Sequence, residues 1–145
     1  FVHAGKLQVG HADALGGGKL NIANGARVVL SDGLPKGVYL LSLIMSNSAT
    51  VDIGDNDVVV EGTTRQVIQA LVRNGANFTG PGNAWEGVGI TSSAAKNTPK
   101  TAVGFADNAL LFKNAFSVSP GKPTITSVVI PMPSMRARTL LAKAR

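Results

Sequence analysis

The residues in this chain best suited to chemistry are acids, and there are few of them. Asp52, Asp55 and Asp57 lie within six positions of one another. Carboxylates on a turn can hold calcium through their oxygens. The spacing of a helix–loop–helix calcium loop and its late bidentate glutamate are both missing, so the cluster reads as a turn in which Asp55 and Asn56 cap their own backbone. Glu61 and Glu86 are the only glutamates. Glycoside hydrolysis needs two carboxyl groups about 5 to 9.5 Å apart across a cleft, and no motif here asks for such a pair. His3 and His11 stand without the serine and aspartate context of a nucleophile–base pair and read as exposed side chains.

The glycine-rich stretches do no better as catalytic motifs. "GGG" at 16–18 and "GPGNAWEG" at 80–87 neither open a helix nor lead into the Lys-Ser/Thr of a phosphate loop, so both read as turns. The chain has no cysteine, which excludes thiolate catalysis, a disulfide framework and cysteine-based metal centres. No catalytic, metal or cofactor set emerges, and the chain reads as a non-enzyme. Trp85, the single tryptophan, has two readings: it could stack on a sugar, or it plugs a loop against the strands. The second is favoured, because a large aromatic normally sits mostly buried.

The formal charge is +6, and Arg136, Arg138, Lys143 and Arg145 fall in the last ten positions with no acid among them. Three readings are open for this tail. It is a solvated end, it attracts an acidic surface such as cell-wall polymer, lipid headgroups or nucleic acid, or it docks on a neighbouring subunit through Leu140 and Leu141. The body lacks the basic face with stacking aromatics that specific nucleic-acid binding requires.

The elements that must position these residues are mostly strands. Leu7 and Val9, Leu20 and Ile22, Val28 and Leu30, and Val51 and Ile53 alternate with polar neighbours at a period of two. Turn signals separate them: "GGG" at 16–18, "NG" at 24–25, "SDG" at 31–33 and "GDN" at 54–56. "GVYLLSLIM" at 37–45 has the length of a strand, and no run approaches the roughly 18 apolar residues of a membrane span. Gly-Lys-Leu occurs twice, at 5–7 and 18–20. Such repetition suits a solenoid, in which no rung buries its apolar face alone and similar rungs must stack.

Residues 63–74, "TTRQVIQALVRN", place Val67, Ile68, Leu71 and Val72 on one helical face. Thr63 is the expected N-cap with Gln66 as its capping-box partner, and Gly75 the expected terminator. Four segments follow: strand rungs over 1–62, an amphipathic helix over 63–75, a glycine-rich loop with further strands over 76–130, and a basic tail over 131–145. The helix reads as a lid on the strand array. The composition, 44% hydrophobic but only 15% charged, leaves a surface of Ser, Thr, Asn and Gly, as is common on extracellular repeat proteins. Phe1 opens in mid-pattern, as a segment of a longer precursor would.

Two stretches carry a resemblance. "GKLQVGHADALGGGKLNIANGARVVL" resembles the autotransporter-associated β-strand repeats of bacterial secreted and surface proteins, through Gly5–Gly10, Ala14–Gly18 and Asn24–Ala26. The stretch from Asp52 to Leu111 is similar to a region that follows such repeats in secreted proteins of planctomycetes, through Asn56–Val60, Val67–Arg73, Trp85–Gly87 and Gly89–Ser93. The resemblance implies a right-handed parallel β-helix, export, and a structural or adhesive role at the cell surface. The expected fold is therefore all-β, a parallel β-helix segment with one short helix; a β-sandwich is the alternative. The expected function is a non-enzymatic surface protein that self-assembles into a filament or array through its strand edges. An adhesin or carbohydrate-binding module is the rival.

Overall fold

The computed structural model describes residues 1–107 and the backbone of residues 127–133. It is a mainly-β chain. In order it forms β1 (Lys6–Val9), β2 (Lys19–Ile22), β3 (Arg27–Leu30), β4 (Val38–Leu40), β5 (Ser42–Met45), β6 (Thr50–Asp52), β7 (Val58–Val60), α1 (Arg65–Ala76), β8 (Gly89–Thr91), α2 (Ser93–Asn97), β9 (Thr101–Ala106) and β10 (Ser127–Pro133).

The strands over residues 5–60 pair in parallel. One ladder runs β1–β3–β6–β8, a second joins β2 to β5, and a third runs β4–β7–β10–β9. Register is regular: Lys6 lies beside Arg27, Arg27 beside Thr50, Lys19 beside Ser42 and Val38 beside Val58. The chain thus returns to the same wall every 20 to 23 residues, as those pairs give it. The two Gly-Lys-Leu copies are not this repeat. The first enters β1 and the second enters β2, which belong to different ladders. "GVYLLSLIM" is likewise two strands, β4 and β5, separated by a corner at Leu41.

The core is stacked columns of one residue type above another. Leu7, Val28, Val51 and Ile90 share one register position. Val28, Val51 and Ile90 are buried to 0%, 4% and 2% exposure, while Leu7 on the outermost strand keeps 36%. Each inner side chain is covered by the layer next to it, and Leu7 has a layer on one side only among the described residues. β-branched residues fit this arrangement because they fill a pleated surface with little rotamer loss.

Between strands, each turn is stitched to the previous one. The Asp55 carboxylate accepts from Gly33 N at 2.7 Å, and Asn56 Oδ1 accepts from Leu34 N at 2.8 Å. Asn56 Nδ2 donates to Ser31 O and to Ile53 O, each at 2.9 Å. The expected turn at 54–56 is present, but its Asp and Asn bond mainly to the turn before, which is why a buried Asn56 is tolerated. Among the described residues no cluster of three or more His, Cys, Asp or Glu is placed to hold a metal.

The helix differs from expectation by two residues at its start. α1 begins at Arg65 with Thr64 as N-cap, and Asn77, at φ 52°, closes it in the left-handed region. Thr63 is used elsewhere: its hydroxyl accepts from Leu43 N and donates to Leu43 O, standing in for a strand beside β5. Ile68 and Val72 point into the core as the apolar face predicts, whereas Val67 is 46% exposed. Gly75 lies inside the helix rather than after it. There it meets the backbone of Ile90 in β8, and Gly89 in turn meets the backbone of Leu71. The second helix, α2, has no counterpart in the expected four segments, since five residues give almost no periodic signal.

Strand β10 runs to Pro133, past the expected start of the tail at 131. It is antiparallel to both neighbours, pairing with β7 over 127–129 and with β9 over 128–133. From Ile130 onward it has β9 on one side only, and such an edge tolerates prolines that cannot donate. Arg136, Arg138, Leu140, Leu141, Lys143 and Arg145 lie outside the described residues.

The backbone contact at Gly75 makes a test of sign. Alanine is the better helix former by about 1 kcal/mol, but its Cβ would overlap the Ile90 carbonyl and force α1 off β8, at about 1–3 kcal/mol. Gly75→Ala is expected to lower the melting temperature, while Gly10→Ala, where a Cβ meets nothing within 4 Å, is expected to leave it unchanged. Thermal unfolding followed by circular dichroism decides; a stabilised Gly75→Ala would contradict the packing.

Candidate functional site

The described residues bring one set of polar side chains together around a concavity. The outer face of the first ladder presents Arg27, Thr50, Asp52 and Thr91 on β3, β6 and β8. Alternation puts Val28, Val51 and Ile90 inside, so their neighbours in sequence must face out. Two later segments then close over this outer face. The loop of residues 77–88 brings Trp85, Glu86 and Gly87, and α2 brings Ser93, Lys96 and Asn97. The cleft between them has a volume of about 420 Å³.

Asp52 organises the floor. It is 3% exposed. Its Oδ1 accepts from Ser93 N at 2.8 Å and Gly54 N at 3.1 Å, and its Oδ2 accepts from Arg27 Nη2 at 2.8 Å. Burial by itself would push the Asp52 carboxyl up; the bonds from Ser93 N, Gly54 N and Arg27 outweigh it and hold the group below the usual carboxylate range. Ser92, fully buried, fixes α2: its hydroxyl accepts from Ala95 N at 2.9 Å and donates to Gly54 O at 2.6 Å. The rim carries a second ion pair, Lys96 with Glu86. Lys96, with help from Asn83, lowers the Glu86 pKa.

Trp85 forms one wall. It is 6% exposed and meets Phe78 edge-on, with ring centroids 5.6 Å apart. Its backbone sits at φ 65°, a conformation bulky residues rarely adopt, and Trp85 N donates to Ala76 O at 2.9 Å. The plug reading of this residue is the one that matches its burial. A bare aromatic face for stacking is not on offer.

The other residues weighed from sequence are scattered. His3 and His11 are both exposed, and Asp13 N donates to His11 Nδ1 at 3.2 Å. Glu61 accepts from the Tyr39 hydroxyl, which raises the tyrosine pKa. Glu61 and Glu86 are not brought together at one cleft. Sequence reasoning missed Arg27, Thr50, Lys96 and Asn97. Their outward placement on strands could be read from the period of two, but which strand lies beside which follows only from the register.

Comparison with protein-family models, with curated proteins and with solved structures finds no match to this chain. Charge follows a sharp division along the sequence. Residues 1–107 hold all eight acidic residues and eight of the 14 basic ones, so the whole excess of +6 lies beyond residue 107.

Asp52 sets a pH dependence. Its folded pKa is depressed, so its contribution to stability is present above the unfolded value of about 3.9 and is lost as pH falls through the lower folded value. Asp52→Asn keeps the size but replaces one acceptor oxygen with a donor facing the donors around it. The variant is expected to be destabilised by about 1–3 kcal/mol at neutral pH, with a smaller loss of stability on acidification than the parent chain. Urea unfolding at neutral pH and near pH 3 measures both; equal acid sensitivity in the two proteins would refute the assignment.

Proposed function

We propose that this chain is a non-enzymatic structural building block of the bacterial cell surface, exported and self-associating through its strand edges into a filament or array. On this reading the three ladders are the walls of a right-handed parallel β-solenoid. The observation that carries it is the unequal cover of one column, with Leu7 at 36% exposure over a stack buried to 4% or less. A further layer on β1 would bury Leu7 as its neighbours below are buried.

Backbone geometry supports the same edge. Arg27 N donates to Gly5 O and Ser31 N to Val9 O, so alternate residues of β1 face β3. The peptide groups of Lys6 and Gln8 then face the other way, where donors and acceptors of a strand await a partner. A second surface lies at the outer edge of β5. Leu41, Ile44 and Val67 are 41%, 58% and 46% exposed there, along a groove of about 640 Å³. Two different surfaces on one molecule give a head-to-tail contact, and such a contact that does not close makes a fibre.

Export is supported by the low charge content and by the repeat-like motifs of residues 5–30. No helix among the described residues is long and apolar enough to cross a membrane. The positive charge beyond residue 107 supports contact with an acidic wall polymer.

A proline at Gln8 removes only an N–H that faces outward from β1, so the fold should tolerate it while the edge should not pair. Light scattering and negative-stain microscopy over a concentration series are expected to show assemblies for the parent chain and monomers for Gln8→Pro, with similar circular dichroism. A parent chain that stays monomeric throughout would overturn the proposal.

A further inference from the structure

We propose that the cleft walled by Trp85 and the two ion pairs binds an uncharged polyhydroxylated ligand, a neutral sugar residue. Charge is what decides the class. The cleft holds two cations, Arg27 and Lys96, each already matched to a carboxylate, Asp52 and Glu86. An anionic ligand would have to compete with Asp52 or Glu86, and a cationic one with Arg27 or Lys96. A neutral ligand displaces neither. It also finds what a sugar needs, which is donors and acceptors side by side in fixed positions.

The fixed positions come from the surrounding bonds. Asp52 is held by two backbone N–H groups as well as by Arg27, so its orientation does not depend on a ligand. The Arg27 side chain is 51% exposed and commits Nη2 to Asp52, while a guanidinium carries five N–H donors. Thr50 and Asn97 add a hydroxyl and an amide to the same walls. A vicinal diol can bridge such neighbouring donor and acceptor groups, with both hydroxyls used. Trp85 contributes differently from a stacking platform. Its ring is packed away and closes one side of the cleft. The volume of about 420 Å³ falls in the range of small-molecule sites.

The cleft lies on the outer face of β3, β6 and β8, away from the open edge of β1, so this inference stands independently of self-association. Trp85 is the only tryptophan, and its fluorescence therefore reports on the cleft alone. The full chain is titrated with methyl glucoside, methyl galactoside and N-acetylglucosamine, with galacturonate and glucose 6-phosphate as charged counterparts, and binding is checked by saturation-transfer NMR. At least one neutral sugar is expected to give a saturable change, more tightly than its charged counterpart. Asn97→Ala, on the exposed rim, is expected to weaken that binding about five- to tenfold with circular dichroism unchanged. Thr50→Val is expected to act in the same direction. The proposal is overturned if no neutral sugar saturates the signal, if a charged counterpart binds more tightly, or if neither variant alters the affinity.

Discussion

A short strand with one apolar face cannot shelter that face by itself. In this chain the problem recurs at each three- or four-residue strand of the parallel walls, and each is solved the same way: the strand beside it, 20 to 23 residues away within residues 5–60 and farther along the chain for β8, lays an apolar side chain of similar shape on top. Burial and backbone pairing then reinforce each other, because the register that stacks Val28 on Val51 also lines up their peptide groups. The thin core follows from this. Val, Ile and Leu fill it, and aromatics make up only 5% of the chain.

The same constraint explains how the later residues behave. Once β6 and β7 are laid down, the chain stops adding a strand to the second ladder and inserts α1. Thr63 meets the last exposed peptide groups of Leu43 with its hydroxyl, and glycines at 75 and 89 let helix and strand backbones touch. The first ladder continues through β8 nonetheless. Its outer face is then roofed by α2 and the Trp85 loop, which converts an ordinary outward-facing row into a cleft with a buried carboxylate. The candidate site is thus a product of the place where the regular layering is interrupted.

Much of the strand pattern was legible in the residues. Leu7, Leu20, Val28 and Val51 marked β1, β2, β3 and β6 through simple alternation, and the helix was visible in Val67, Ile68, Leu71 and Val72. What was misread had a common cause, which is that local signals do not specify partners. The duplicated Gly-Lys-Leu looked like the structural repeat, yet its two copies serve different walls. Thr63 had every local mark of an N-cap, but a tertiary bond to Leu43 claimed its hydroxyl first. Gly75 looked like a terminator because glycine commonly ends helices, and here its missing side chain serves close packing instead. Of the cleft, Trp85, Asp52 and Glu86 were singled out but not joined, since Arg27 and Asp52 meet through a strand pairing 25 residues apart.

The parallel register of the walls is the claim on which the fold, the cleft and the proposed assembly all rest. The chain has no cysteine, so introduced pairs give a clean test. Lys19 and Ser42 lie side by side on the outer face of β2 and β5. Adjacent strands bring such positions within the roughly 4.4–6.8 Å Cα separation of a disulfide. Lys19→Cys with Ser42→Cys is predicted to cross-link quantitatively under mild oxidation, and Lys19→Cys with Leu43→Cys, one residue out of register and facing inward, is predicted to remain reduced. Cross-linking of the second pair in place of the first would contradict the account.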